Sequence, residues 1–186
     1  PLRYNVDTGE HHAVRSAAGL FDLSHMGEIT LRGSQAGQAL DFALVGNLTA
    51  LRVGGARYTM LCAADGGVLD DLVVYRTAEH EYMVVANAAN TATVVEELRV
   101  RSAPYDVVVA DETERWSLLG LQGPAAAVIL SSVLPAPLDE LRYYASMSVA
   151  FDDRPVLLAR TGYTGEDGFE IFVTHGATKL WRLLLE

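Results

Sequence analysis

Apolar and polar residues alternate along Glu28-Ile-Thr-Leu-Arg32 with the period of two that is typical of half-buried strands. Other predicted strands are short apolar runs bounded by turn residues. Two of these runs, 58–63 and 68–76, flank the turn Ala64-Asp-Gly-Gly67. An Asp-Gly pair between apolar runs predicts a hairpin, because the tight turn requires positive φ. A third segment, 81–86, extends the hairpin to an antiparallel meander. Further strands are predicted at 28–32, 106–110, 116–121, 148–151, 156–160 and 168–173.

Helical periodicity occurs between these strands, but not in the strict strand–helix alternation of a parallel sheet. Ser34 and Asn90 are predicted to cap two of the helices, since their side-chain oxygens can accept bonds from the first backbone N–H groups. The predicted fold class is therefore α+β, with antiparallel sheets covered by helices. The predicted helices are 11–18, 35–44, 91–100, 124–130 and a last one that begins at Thr178.

Composition and charge narrow the classes of function. Half of the residues are hydrophobic and the net charge is −10. Such a charge argues against a nucleic-acid partner, because phosphate binding needs a basic face. No apolar run reaches the roughly 18 residues of a membrane span. The single cysteine, Cys62, favours a reducing compartment, and the histidines lack the spacing of metal ligands. No metal site is predicted.

Two adjacent carboxylates interrupt the otherwise apolar strand 68–76. Asp70 and Asp71 must point to opposite faces of that strand, since side chains alternate. Both faces are otherwise apolar, so at least one carboxylate should lie among apolar groups, where the charged form is disfavoured without partners. Such a group is a candidate functional residue. The structural alternative is that Asp70 bonds to the backbone or an arginine and that Asp71 lies at the rim of a sheet.

A glycine-rich loop, 161–167, leads into the predicted strand 168–173, and Arg160 directly precedes the loop. Three glycines in seven residues allow sharp turns and a close approach of another group to the backbone. Tyr163 offers a flat stacking face there, and Glu170 lies on the face of the strand opposite Phe169 and Ile171. Acidic residues crowd the loop, and neither a helix N-terminus nor a basic residue follows it closely. The loop is therefore not a phosphate-binding loop. An ordinary hairpin turn is the structural alternative.

Ser24 and His25, close to two acidic residues, invite the hypothesis of a hydrolase. No Gly-x-Ser-x-Gly pattern supports it, and the residues of a triad are assembled in space rather than in sequence. A structural role for His25 is the simpler interpretation.

Five segments, in this order, resemble those of the glycine-cleavage T-protein family. The resemblance covers essentially the whole chain, and the last segment is its most specific part. The segments are Gly19-Leu-Phe-Asp-Leu-Ser-His-Met-Gly-Glu28, Gly66-Gly-Val-Leu-Asp-Asp-Leu-Val-Val-Tyr75, Asn87-Ala-Ala-Asn90, Leu121-Gln-Gly-Pro124 and Arg160-Thr-Gly-Tyr-Thr-Gly-Glu-Asp-Gly-Phe-Glu170.

The resemblance implies an architecture. Members of the family are about twice as long as this chain and form a three-part cloverleaf around a central folate pocket. By this resemblance the chain is truncated at both ends and lacks the C-terminal barrel. It then consists of two intimately packed folate-binding subdomains, approximately 1–34 with 110–186 as one and 35–109 as the other.

The resemblance also implies an activity, that of a tetrahydrofolate-dependent aminomethyltransferase of the glycine cleavage system. The family's reaction takes the aminomethyl group held on the lipoyl arm of H-protein and delivers its one-carbon unit to tetrahydrofolate, with release of ammonia. The implied partners are lipoylated H-protein and folate, without nucleic acid, membrane or metal. The implied location is the bacterial cytoplasm, or the mitochondrion if the parent is eukaryotic.

Carried over position by position, the resemblance makes Asp71 the catalytic carboxylate. An anion held in a water-poor pocket would stabilise the positive charge that develops on the transferred group. A carboxylate such as Glu170 can accept two donors from the pterin edge, while aromatic rings cover its face. The implied folate-binding residues are Met26, Tyr58, Tyr75, Asn87, Tyr143, Tyr163 and Glu170.

Four alternatives remain open from the sequence. The first is the homologous folate domain of a sarcosine- or dimethylglycine-type dehydrogenase, although no Gly-x-Gly-x-x-Gly dinucleotide motif is present. The second is a folate-dependent protein of iron–sulfur assembly or tRNA modification. The third is a folate-binding fragment without catalysis, and the fourth is the hydrolase that would use Ser24 and His25.

Overall fold

The computed structural model describes Tyr4 and residues 6–186. The chain divides into two compact units. One unit contains the described residues up to Ser24 together with Trp116–Glu186, and the other contains His25–Arg115. We call them the outer unit and the inserted unit. The elements in chain order are α1 Asp7–Ser16, β1 Gly19–Asp22, β2 Gly27–Arg32, α2 Ala36–Ala43, β3 Ala56–Cys62, β4 Val68–Ala78, β5 Glu81–Ala86, α3 Thr91–Ser102, β6 Val108–Asp111, β7 Ser117–Gln122, α4 Ala126–Val133, β8 Ser146–Phe151, β9 Arg154–Ala159, β10 Gly168–Val173 and α5 Ala177–Leu185.

The inserted unit is a five-stranded antiparallel sheet with the strand order β3-β4-β5-β2-β6. The predicted hairpin turn joins β3 to β4, and Gly66 in it has a φ of +87°, which a residue with a Cβ rarely adopts. Alternate residues of the strands pack with α2 and α3 into one apolar core that includes Ile29, Leu72 and Leu98. One face of the sheet is thereby buried under helices.

The outer unit is a second five-stranded antiparallel sheet with the order β1-β7-β10-β9-β8. Its core contains Phe169 and Ile171 of β10 together with residues of α4 and α5. Leu180 and Leu184 are the buried residues of α5. The α+β class with helix-covered antiparallel sheets is thus confirmed.

The unit boundaries differ from the subdomains expected from the sequence, 1–34 with 110–186 and 35–109. The chain divides at 24/25 and at 115/116. The reason is strand pairing: β2 lies between β5 and β6, so both β2 and β6 belong to the sheet of the inserted unit.

The first residues of the helices differ from their predicted positions more than the bounds of the strands do. The first helix begins at Asp7 and ends at Ser16, and the acidic residues of its first turn suit the positive end of a helix dipole. The N-cap residue of α2 is Gln35 rather than Ser34, and Asn90, the N-cap residue of α3, makes no side-chain cap hydrogen bond. The Ser34 hydroxyl donates to Asp106, and the Asn90 amide donates to Asp70. Among the residues described, no helix has the length and apolar character needed to span a membrane.

Candidate functional site

Asp71 lies on β4 of the inserted unit, and both of its carboxylate oxygens accept hydrogen bonds. The Tyr58 hydroxyl donates to Oδ2 at 3.0 Å, and the Asn87 side-chain amide donates to Oδ1 at 3.1 Å. Tyr58 comes from the neighbouring strand β3, and Asn87 follows directly after β5. The hydrogen bond to Asp71 raises the pKa of the Tyr58 hydroxyl above its usual 10.0. Three of the predicted residues therefore form one hydrogen-bonded group.

The two aspartates occupy opposite faces of β4, as the alternation predicted. Asp70 is 3% exposed and lies on the helix-covered face with Leu72 and Val74. Asp71 is exposed. The carboxylate among apolar groups is therefore Asp70, whereas Asp71 is exposed in this chain, and the water-poor pocket expected around it stays a prediction. Its fixed orientation comes from Tyr58 and Asn87.

Tyr75 and Met26 were predicted to line the folate site. Tyr75 follows Asp71 by four residues on the same face of β4, and it is only 1% exposed. Its ring is packed inside the protein, so contact of Tyr75 with a ligand stays a prediction. Met26 directly precedes β2 and is half-buried.

The glycine-rich loop of the outer unit is held at both ends by side chains. Arg160 donates through Nε and Nη2 to the two carboxylate oxygens of Asp167 at 2.8 and 2.6 Å. This pairing lowers the pKa of Asp167 below its usual 3.8. The Gln122 amide donates to the Thr161 carbonyl at 3.0 Å and accepts from the Thr164 hydroxyl at 3.0 Å. The loop is therefore ordered by specific bonds that the sequence pattern alone did not indicate.

Glycine is required at position 162 for two reasons. Its φ of +150° lies in the region that favours glycine, and a Cβ there would come within 2.2 Å of Gln122 Oε1. Next to it, Tyr163 projects into solvent with 89% of its surface exposed. The loop thus presents an aromatic ring at its tip, as its sequence suggested.

Tyr143 lies across an open cavity from this loop. The Tyr143 and Tyr144 rings meet edge to face with their centroids 4.8 Å apart, and Tyr144 has a φ of +55°. The cavity has a volume of about 610 Å³, which is within the range of small-molecule sites. It brings together two of the predicted residues, Tyr143 and Tyr163. Its side-chain lining is Tyr143, Tyr144, Arg160, Tyr163, Glu166 and Asp167.

Glu170 lies on β10, on the face opposite the buried Phe169 and Ile171, as predicted. Its carboxylate accepts a hydrogen bond from the Thr161 hydroxyl. Glu170 also lines a small apolar pocket of about 80 Å³ together with Tyr163 and Phe21. Tyr163 therefore borders two recesses of the outer unit, a wide polar one and a narrow apolar one.

Glu28 is a buried acidic residue that the sequence analysis did not single out. It lies on β2 with no exposed surface, and neither carboxylate oxygen has a hydrogen-bond partner in the described part of the chain. Burial, together with the nearby charge of Asp111, raises its pKa from 4.5 to about 8. The carboxyl group is therefore neutral at pH 7, and a single acidic residue within an apolar pattern was the only sequence signal for it.

The Ser24 hydroxyl has a structural role. It accepts a hydrogen bond from the Leu118 backbone N–H at 3.1 Å, while the Ser24 N–H donates to Asp22 at 3.0 Å. These bonds fix the turn after β1 and do not activate a nucleophile. In the residues that the structure describes, no group of three or more His, Cys, Asp or Glu side chains could hold a metal ion.

Comparison with known proteins identifies relatives over the whole length of the chain. The model of the GCVT N-terminal domain family matches residues 1–186. The chain is 54% identical to an aminomethyltransferase of Streptomyces avermitilis, covering 100% of this chain and 50% of that protein. It is 55% identical to the aminomethyltransferase of Streptomyces coelicolor, over 99% of this chain and 50% of that protein. This chain therefore spans about half the length of these curated relatives.

Solved structures give the same picture of the fold. The crystal structure of the glycine cleavage system aminomethyltransferase T from Bartonella henselae matches with a TM-score of 0.87 and 39% identity, over 95% of this chain and 48% of that one. A chain of the heterotetrameric sarcosine oxidase from Corynebacterium sp. U-96 matches with a TM-score of 0.68 and 22% identity, over 99% of this chain and 94% of that one. The second likeness concerns the fold alone.

Proposed function

We propose, since this chain belongs to the GCVT N-terminal domain family, that it is the tetrahydrofolate-binding part of an aminomethyltransferase of the glycine cleavage system. The reaction moves a one-carbon unit from the aminomethylated lipoyl arm of H-protein to tetrahydrofolate and releases ammonia. Because the chain spans about half of its curated relatives, the activity, the folate substrate and the H-protein partner of the whole protein all belong to this proposal.

The hydrogen-bonded carboxylate of Asp71 is the observation on which the proposal depends. As a folate nitrogen bonds to the methylene carbon and the bond of that carbon to the lipoyl sulfur breaks, positive charge develops on the transferred carbon and on the attacking nitrogen. An anion whose two oxygens are already held by Tyr58 and Asn87 can stabilise that charge without reorganising during the reaction. In this role the solvent that now reaches Asp71 is displaced by the bound substrate, which strengthens the electrostatic interaction.

The outer unit supplies groups suited to binding a pterin. Tyr143 and Tyr163 expose flat rings, 67% and 89% of their surfaces being accessible, and both line the larger cavity. The carboxylate of Glu170 can accept hydrogen bonds from the amine and amide edge of the ring system. We assign folate affinity to these three residues and the electrostatic part of catalysis to the Asp71 group.

Titration of 5-formyltetrahydrofolate into this chain, followed by isothermal calorimetry, tests the binding part of the proposal. Glu170→Ala should weaken binding by about 10- to 100-fold, since a hydrogen bond to a charged group contributes about 1.5–3 kcal/mol. Tyr163→Ala should weaken it by about 2- to 10-fold through the loss of aromatic stacking. Tyr4→Ala removes an equally exposed tyrosine, 81% accessible, and should leave the affinity unchanged. Equal affinity in all variants would show that the assignment is wrong.

The second candidate is the folate domain of a sarcosine- or dimethylglycine-type dehydrogenase, which receives its carbon from a flavin-generated imine. The fold shared with the sarcosine oxidase chain supports only the architecture, since the identity is 22%. The two candidates differ in their donor. The test uses the protein at its full natural length. Transfer of the one-carbon unit from aminomethylated H-protein to tetrahydrofolate supports the first candidate, and transfer that requires a flavin-containing amine oxidase supports the second.

A further inference from the structure

Asp70, the neighbour of Asp71, is a buried carboxylate whose partners are all neutral. It is 3% exposed and accepts three hydrogen bonds. The Asn87 backbone N–H donates to Oδ2 at 3.0 Å, and the side-chain amides of Asn87 and Asn90 donate to Oδ1 at 2.9 and 2.6 Å. No lysine or arginine contributes to these bonds. A buried carboxylate is costly unless it is hydrogen-bonded, so these bonds make its position highly specific.

The side-chain amide of Asn87 also reaches the other face of the strand. Its nitrogen lies 3.1 Å from Oδ1 of Asp71 and 3.1 Å from the Asp71 carbonyl oxygen. One amide nitrogen therefore serves both aspartates, because its two N–H groups can point in two directions. Asn87 connects the buried carboxylate of Asp70 to the exposed carboxylate of Asp71.

Asp70, at 2.9 Å the nearest acceptor of the Asn87 amide nitrogen, contributes from the core to the direction in which the amide faces, beside the two oxygens of Asp71. An ionised carboxylate has only acceptors, so it selects the orientation in which the amide nitrogen of Asn87, and not its oxygen, points towards the aspartates. If the amide turned by about 180°, Oδ1 would lie against carboxylate oxygens and repel them. In the selected orientation Asn87 gives Asp71 a donor and leaves its own Oδ1 to accept a bond from a ligand.

We propose that Asp70 is a positioning residue for the transfer reaction: by fixing the Asn87 amide, it holds the Asp71 carboxylate in its reactive orientation and presents the Asn87 oxygen to the bound folate. This role rests on the proposed function of Asp71. Asp70 itself does not touch the substrate. The two aspartates therefore have different roles. The buried carboxylate of Asp70 sets the geometry, and the exposed carboxylate of Asp71 meets the reacting group.

Asp70→Asn is the test variant, and Asn90→Ala is its matched control. An asparagine at position 70 keeps the shape of the side chain but offers one acceptor oxygen and an NH₂ group to three donors, so the Asn87 amide loses its fixed orientation. Asn90→Ala removes one bond to the same carboxylate and leaves both bonds between Asp70 and Asn87 in place. If Asp70 only stabilises the fold, the two variants should behave alike.

The first measurement does not depend on folate. In the ¹⁵N–¹H spectrum of this chain, the side-chain amide protons of Asn87 should exchange with solvent much more slowly than those of the exposed Asn47. Asp70→Asn should bring the exchange of Asn87 close to that of Asn47, and Asn90→Ala should leave it slow. Fast exchange of Asn87 in the wild type, or slow exchange in Asp70→Asn, would overturn the proposal.

The second measurement is turnover at the protein's full natural length, with aminomethylated H-protein and tetrahydrofolate. Asp70→Asn should lower kcat by about 10- to 100-fold through misplacement of Asp71. KM for tetrahydrofolate should rise by only about 2- to 10-fold, the effect of one neutral hydrogen bond. Asn90→Ala should lower kcat less than Asp70→Asn does, because both bonds between Asp70 and Asn87 remain in place. If the wild type is active and kcat is equal in Asp70→Asn and Asn90→Ala, the positioning role of Asp70 is wrong. If the wild type is inactive, the proposed function is wrong.

Discussion

Replacing Glu28 with glutamine should stabilise this protein increasingly as the pH rises from 5 to 8. The Glu28 carboxyl group is fully buried and its oxygens lack hydrogen-bond partners within the described residues. Burial, and next the charge of Asp111, raise its pKa from 4.5 to about 8. The folded protein therefore retains a proton on Glu28 that the unfolded chain releases above pH 4.5. The contribution of Glu28 to stability is complete below pH 4.5 and is lost as the pH rises towards 8.

The size of the effect follows from the pKa difference. Each pH unit between the two pKa values removes about 1.4 kcal/mol from the free energy of unfolding. From pH 4.5 to pH 7 the loss is about 3 kcal/mol, a large part of the roughly 5–15 kcal/mol that stabilises a typical domain. Glutamine does not ionise, so the Glu28→Gln variant escapes this loss. The unpaired amide of the glutamine adds a cost of about 1–3 kcal/mol that does not depend on pH. This cost shifts the difference in free energy of unfolding between the variant and the wild type, but it does not change how steeply that difference rises with pH.

Urea unfolding at pH 5, 6, 7, 8 and 9, followed by circular dichroism, measures this effect. The free energy of unfolding of Glu28→Gln minus that of the wild type should rise by about 1.4 kcal/mol per pH unit up to pH 8 and then level off. Titrating groups that do not interact with Glu28 cancel in the difference. A difference that stays constant from pH 5 to 8 would refute the reasoning.

Glu112→Gln is the matched control. Glu112 is 8% exposed and accepts hydrogen bonds from Arg32 and Arg115. The bond from Arg32, above all, lowers its pKa below 4.5. A lowered pKa contributes stability above the ordinary value and loses it as the pH falls. The free energy of unfolding of Glu112→Gln should therefore be lower than that of the wild type by a constant amount from pH 5 to 8. The two free energies should approach each other only in more acidic solution.

Three further changes test the packing around the candidate site. Gly162→Ala should lower the melting temperature in differential scanning calorimetry, because its Cβ would collide with Gln122; an unchanged value would show that the loop adapts freely. Arg160→Lys should speed amide hydrogen exchange in the loop, since one ammonium group cannot replace the two bonds to Asp167; equal exchange rates would contradict this. Leu180→Ala should cost about 2–5 kcal/mol in urea unfolding, because Leu180 has no exposed surface; a loss below about 1 kcal/mol would contradict its place in the core.

Strand positions could be predicted from the sequence because their patterns are local. The apolar runs 81–86 and 168–173, each preceded by a turn or loop, gave the bounds of β5 and β10 without error. The short strand β1 was not predicted, because its four residues form a strand only through pairing with β7, about 100 residues further along the chain. The same cause displaced the unit boundaries, since the place of β2 between β5 and β6 is a non-local property.

The candidate site could be predicted in part. Alternation correctly separated Asp70 from Asp71, and the resemblance selected Asp71, Tyr58 and Asn87, which form one hydrogen-bonded group. The bond between Asp70 and Asn90 was missed because an asparagine before a helix favours a cap. Its competing acceptor lies 20 residues away and becomes visible only in the folded sheet. The burial of Glu28 was also missed, because the surroundings of a strand residue become visible only in the folded sheet. A single acidic residue in a strand gives no sequence signal for its burial.

Transfer activity of Asp71→Asn tests the central claim most directly. The protein at its full natural length is mixed with tetrahydrofolate and aminomethylated H-protein, and the formation of 5,10-methylenetetrahydrofolate is measured beside the affinity for folate. Asparagine keeps the shape of the side chain but not its charge, so we expect folate affinity within about three-fold of the wild type and a rate lower by about 100- to 1,000-fold. A rate equal to that of the wild type would contradict the claim that the Asp71 carboxylate stabilises the charge on the transferred group.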